Sequence, residues 1–113
     1  MWNFSALLKR LKHFGEAKSL LRKTVPVARR VLGEGDINTL KSRWTYARAL
    51  YEDADATLDD VREAVTTLEE TARTARRVLG GAHPLTVDIE GELKIARAVL
   101  RPRETPWSAP EDK

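Results

Sequence analysis

Apolar residues recur along this chain at intervals of three and four, the spacing that lays them along one side of an α-helix. Phe4, Leu7, Leu8 and Leu11 predict a first helix over roughly Trp2 to Lys12. After a break at Gly15, Ala17, Leu20, Leu21, Val25, Ala28 and Leu32 predict a second, from about Glu16 to Leu32, which ends at Gly33 because a left-handed cap costs least there. Pro26 lies inside this helix, and the clash of its ring with the carbonyl of Arg22 predicts a kink or break between Thr24 and Val27. Asp36 is placed to cap a third helix, Ile37 to about Tyr51, with Leu40, Tyr46, Ala47 and Leu50 inward. An acidic stretch from Glu52 to Asp60 follows, in which Thr57 or Asp59 can cap a fourth helix and Thr57 and Asp60 have the spacing of a capping box. That helix runs to about Leu79 and stops at Gly80-Gly81. Pro84 opens a fifth, with Val87, Ile89, Leu93, Ala96 and Leu100 as its apolar side, and Pro102 ends it. The chain therefore reads as all-α, with about five helices.

One segment is written twice. Ala28-Arg29-Arg30-Val31-Leu32-Gly33 returns 47 positions later as Ala75-Arg76-Arg77-Val78-Leu79-Gly80, each time ahead of a loop. A period of that size marks a helical repeat array. The expected domain is 1–101, two helical hairpins plus a capping helix, followed by a disordered tail over 102–113, which has three prolines and no periodicity. An array of two and a half units is short for good stability, so marginal stability or self-association is expected, and the chain reads as a piece of a longer array or a small one closed by its last helix.

The packing positions agree between the two hairpins. Phe4-Ser5 with Leu8 matches Tyr46-Ala47 with Leu50 in the first helices, and Ala17, Leu21 and Thr24 match Ala64, Leu68 and Thr71 in the second ones. Small residues at such sites let two helix backbones approach closely. With these positions the chain resembles tetratricopeptide repeat proteins, an antiparallel α-solenoid, and Leu79-Gly80 followed by His83-Pro84 is similar to the turn of the long repeats of kinesin light chains. Trp2 and Trp44 are 42 apart, as in that type, but Ala17 and Ala64 are 47 apart, so five residues are inserted near Glu52 to Leu58. Trp44-Thr45 replaces the asparagine pair of the light-chain first helix, and the fifth helix fits only with a two-residue slip, so cargo specificity is not carried over.

Composition narrows the function. The 113 residues contain no cysteine, which excludes disulfides, thiolate metal sites and cysteine nucleophiles and gives no reason for an oxidising compartment. A cytoplasmic location is the expectation. No apolar run reaches the length of a membrane span, and the basic, amphipathic opening segment fits a repeat helix as well as a mitochondrial presequence. The net charge of +3 is unevenly spread: Met1 to Gly33 holds eight Lys or Arg against Glu16 alone, whereas Thr57 to Lys113 has nine bases and eleven acids.

His13 and His83 have no partner at the spacing of a triad or metal site. The acids from Glu52 to Asp60 fail as a calcium loop, because Leu58 and Ala64 stand where the loop needs glycine and glutamate. Gly33-x-Gly35 and Gly80-Gly81 follow helices, not strands, and are not phosphate loops. No enzyme, cofactor or metal is expected. The resemblance implies a non-catalytic scaffold whose concave groove, lined by first helices, presents Trp2, Lys9, Lys41, Trp44, Arg48, Tyr51 and Arg97 to a peptide with an aromatic anchor flanked by Asp or Glu. The opposing reading of the tryptophans is that both pack within the array. The alternative function is binding of nucleic acid or an acidic surface through Lys9, Arg10, Lys12, Lys18, Arg22, Lys23, Arg29 and Arg30, which the helical register spreads around two helices instead of one stripe.

Overall fold

Four α-helices, joined by connections of four or five residues, follow one another in a computed structural model that describes residues 14–53 and 55–104. They are α1 (Phe14–Leu32), α2 (Ile37–Glu52), α3 (Leu58–Leu79) and α4 (Pro84–Glu104). Connections this short turn each helix back along its predecessor, so α1 packs on α2, α2 on α3 and α3 on α4, and α2 also touches α4. The described part is all-α. The predicted helix over Trp2 to Lys12 lies outside the described residues.

The stops and starts follow local chemistry. Gly33 and Gly80 take positive φ, 97° and 93°, and their amides return to the carbonyls of Arg29 and Arg76, each at 3.1 Å. Asp36 caps α2 by accepting from the Asn38 amide at 2.8 Å. Thr57 and Asp60 form the capping box of α3: Thr57 Oγ1 accepts from the Asp60 amide at 3.0 Å, and the Asp60 carboxylate accepts from the Thr57 amide at 3.2 Å. The inserted residues close an Asx turn, the Asp55 amide donating to Asp53 Oδ1 at 3.0 Å, and Ala56 plugs the core behind it. Before α4, His83 Nδ1 accepts from the Leu85 amide at 3.0 Å, with Pro84 in the first turn.

The core is a seam of small and branched residues. Ala47, Ala64, Ala75 and Ala96 are fully buried among Leu40, Leu50, Val61, Leu68 and Ile89. Tyr46, Ala17, Leu21 and Thr71 are buried at their expected positions. Four expectations need correction. The helix is unbroken across Pro26, which overturns the break though not the kink expected there, and Thr24 Oγ1 donates to the carbonyl of Leu20 at 2.9 Å just before it. Leu32 is half exposed, while its counterpart Leu79 packs against the core. Val87 faces solvent, because α4 buries Leu85, Thr86, Ile89, Leu93 and Ala96, and Val87 lies two residues before Ile89, on the far side of the helix. Last, α4 continues through Pro102 to Glu104, since the proline removes only one late hydrogen bond and Arg103 Nη2 ties the final turn to the Ala56 carbonyl at 2.9 Å.

Charges cross between helices. The Arg43 side chain, 5% exposed, bridges Glu34 before α2 and Glu70 on α3, at 3.2 and 2.9 Å. Arg22 of α1 donates to the Tyr46 hydroxyl at 3.1 Å, and that hydroxyl donates to Glu63 of α3 at 2.5 Å. Burial, helped by the Glu63 carboxylate, raises the Tyr46 hydroxyl above its ordinary pKa. Lys18 reaches Asp60 at 3.4 Å.

The period of 47 does not extend to hydrogen bonding. Thr39 Oγ1 donates to the carbonyl of Ala28 at 3.2 Å, whereas Thr86, 47 positions on and equally buried, has no partner for its hydroxyl among the described residues. An unpartnered buried hydroxyl costs more than it returns. Thr86→Val is therefore expected to stabilise the fold by about 1 kcal/mol and Thr39→Val to destabilise it by a similar amount, read by urea denaturation. Burial works to raise the Asp60 pKa, but the Thr57 amide and the Lys18 charge outweigh it, and the net shift is downward. The stability it contributes is thus present above the unfolded aspartate value of about 3.9 and is lost as pH falls through the depressed folded value. Asp60→Ala should cost about 1 kcal/mol at pH 7 and progressively less as pH falls below about 3.9, measured by denaturation across that range.

Candidate functional site

The amphipathic register of α2 leaves one stripe that neither α1 nor α3 covers: Ile37, Lys41, Trp44, Arg48 and Tyr51, at spacings of four, three, four and three. It lies against α4. At its carboxyl end, one acid of α4 gathers three of these side chains. Glu92, 11% exposed, accepts from the Trp44 indole N–H at 3.4 Å and from the Tyr51 hydroxyl, and Arg48 Nε stands 3.7 Å away. Arg48 also pairs with Glu52 at 3.2 Å. Trp44 is half-buried against the core and Tyr51 is buried. The Trp44 ring thus packs in the array while part of it remains accessible.

At the amino end of α2 the stripe opens into a cleft of about 290 Å3 between Ile37, Lys41 and Trp44 on one side and His83, Pro84, Leu85 and Asp88 on the other. Ile37 is 40% exposed, and Lys41 is exposed without an ion pair among the described residues. The helix cap holds His83 Nδ1 as an acceptor, which fixes its ring at the rim. The cleft thus offers apolar walls with, among the described residues, an unpaired cation, Lys41, on the α2 side and an unpaired acid, Asp88, on the α4 side.

The other expected site residues fall elsewhere. Trp2 and Lys9 lie outside the described residues. Arg97 faces α3 instead of α2 and pairs with Glu69 at 3.0 Å. It lines a second cleft, about 310 Å3, whose charges are largely matched, because Arg76 also pairs with Glu90 at 2.8 Å. The Arg76 guanidinium holds the Glu90 carboxyl below its ordinary pKa. So the structure brings together Lys41, Trp44, Arg48 and Tyr51 and leaves Arg97 apart. Glu92, Ile37 and the His83 to Asp88 wall were not among the expected residues. The signal for Glu92 was the pair Trp44 and Tyr51, whose N–H and O–H need an acceptor once buried.

Of the eight cations named for nucleic acid or an acidic surface, Lys18, Arg22 and Arg29 are matched by Asp60, Glu63 and Glu34. Lys9, Arg10 and Lys12 lie outside the described residues, which leaves Lys23 and Arg30. Among the described residues no group of three or more His, Asp or Glu could hold a metal ion, and no helix is long and apolar enough to cross a membrane.

Residues 3–38 match the family model of the tetratricopeptide repeat. No curated protein and no solved structure gives a significant match. The matched stretch takes in α1 and ends just inside α2, and Ala64 and Leu68 of α3 are buried as Ala17 and Leu21 of α1 are. Over that stretch, less than half of the chain, the sequence is similar to tetratricopeptide repeats, and the antiparallel helices that follow have the all-α build of such repeats.

Proposed function

We propose that this chain is a non-catalytic interaction module that seats a peptide segment of another protein in the cleft between the amino ends of α2 and α4. Tetratricopeptide repeats are a protein-interaction fold, and that general role comes with the family. The observation that carries the finer reading is the cleft: Ile37, Trp44, Pro84 and Leu85 form an apolar seat beside Lys41, a cation without an ion pair among the described residues. An aromatic or branched side chain of the peptide fills the seat, and an Asp or Glu beside it pairs with Lys41. Further along the stripe, Glu92 already neutralises Arg48 and orders Trp44 and Tyr51, so those residues shape the groove wall and do not meet the peptide as free charges. The preference for an acidic peptide thus rests on Lys41. A cytoplasmic setting belongs to the same proposal.

Two outcomes are expected. In a pull-down from cell extract with the chain as bait, Lys41→Glu should weaken capture of the main partners about tenfold, while Lys23→Glu on the exposed side of α1 leaves it unchanged. Equal capture by both variants would remove the cleft from consideration. Glu92→Ala should lower stability by about 1 to 3 kcal/mol, because the indole, the phenol and Arg48 lose their shared acceptor, and should shift the Trp44 fluorescence. An unchanged denaturation midpoint would mean that Glu92 does not organise the wall.

A further inference from the structure

Seven residues of α4 form one exposed face: Pro84, Val87, Asp88, Gly91, Lys94, Ile95 and Ala98. All lie within about 60° of Gly91 around a helix of 3.6 residues per turn. Val87 and Ile95 are 53% and 54% exposed. Gly91 sits in the helix interior, where glycine weakens a helix, yet nothing lies within 4 Å of where its Cβ would be. The fold gives no reason for a glycine there. A backbone approaching from outside does.

The sequence around Gly91 reads nearly the same in both directions: Val87 mirrors Ile95, Ile89 mirrors Leu93 and Glu90 mirrors Glu92, while Asp88 mirrors Lys94 with opposite charge. A helix patterned in this way is complementary to itself turned end for end. We infer that α4 pairs antiparallel with α4 of a second copy, the two helices crossing at Gly91 about a twofold axis. In that arrangement a residue n places before Gly91 lies level with the residue n places after it on the other copy. Val87 then meets the level of Ile95, and Asp88 that of Lys94, each twice in one symmetric contact. Neither Asp88 nor Lys94 has an ion pair within 4 Å among the described residues, although the Lys94 charge also acts on Glu90, four residues before it. The two acids that would repel across the axis are already turned inward, Glu90 to Arg76 and Glu92 to Trp44 and Tyr51. Opposite charge at matching levels thus selects a second copy over an unrelated apolar partner. A single helix pair buries less than the roughly 1,200 Å2 of the smallest standard interfaces, so the dimer forms at high protein concentration and disperses on dilution.

The test is sedimentation equilibrium of the whole chain over a wide concentration range, with helicity of each variant checked by circular dichroism. Wild type should rise from monomer to dimer. Ile95→Glu and Lys94→Glu should each weaken association about tenfold or more, and Asp88→Lys combined with Lys94→Glu should restore it, because the swap recreates the opposite charges. The chain has no cysteine, so Gly91→Cys should cross-link to a dimer under mild oxidation, where Lys23→Cys does not. A monomer at every concentration would overturn the pairing. A dimer untouched by Ile95→Glu, or a double swap that fails to rescue, would overturn it as well.

Discussion

The close approach of neighbouring helices at fully buried alanines is the constraint on which the rest of this molecule depends. Ala47, Ala64, Ala75 and Ala96 each stand where a second helix presses, and a bulkier side chain at any of them would hold the backbones apart. Because these contacts fall on successive helices, α2 is gripped by α1 on one side and α3 on the other and also touches α4. Two of its faces are used to build the core. The one left over, Ile37 to Tyr51, carries the aromatic and basic side chains, and so the central helix of the fold is also the wall of the cleft.

Charge follows the same geometry. Among the described residues the basic excess of α1 is partly matched by acids of α3, as in Lys18 with Asp60 and Arg22 with Glu63. Arg43 goes further: its guanidinium is almost fully buried, so its two glutamates are needed to offset the loss of water. Glu92 does the equivalent between α2 and α4, where one carboxylate satisfies an indole, a phenol and a guanidinium. What remains unmatched on the α2 face is Lys41, and it lies beside the apolar seat.

Much of the fold could be read from the residues, for identifiable reasons. Glycine at a left-handed position, the Thr57 and Asp60 pair and Pro84 in a first turn act locally, within one turn of the helix they start or stop, and the structure places all of them as expected. Readings that depend on neighbours fared less well. Val87 and Ile89 are both apolar and cannot both face the core, and only the contact with α3 decides between them. Pro26 and Pro102 should break helices on local grounds, yet packing and the Arg103 bond to Ala56 carry the helices through. At the site, the stripe of α2 followed from its period, whereas Glu92 and the His83 to Asp88 wall are contributed by another helix, about forty positions away in the chain, and nothing in the local pattern pairs them with Trp44. Arg97 was grouped with that stripe by its place in a first helix, but its register turns it toward α3.

The most direct examination of the central claim, that the spare face of α2 and the start of α4 make a peptide seat, is chemical-shift mapping of the chain with peptides it selects from a random displayed library. The predicted result is a cluster of shifts at Ile37, Lys41, the Trp44 indole and residues 83–88, with selected peptides sharing an apolar anchor next to an acid. Shifts confined to α1 and the outer side of α3, or a library that yields no binder, would contradict it.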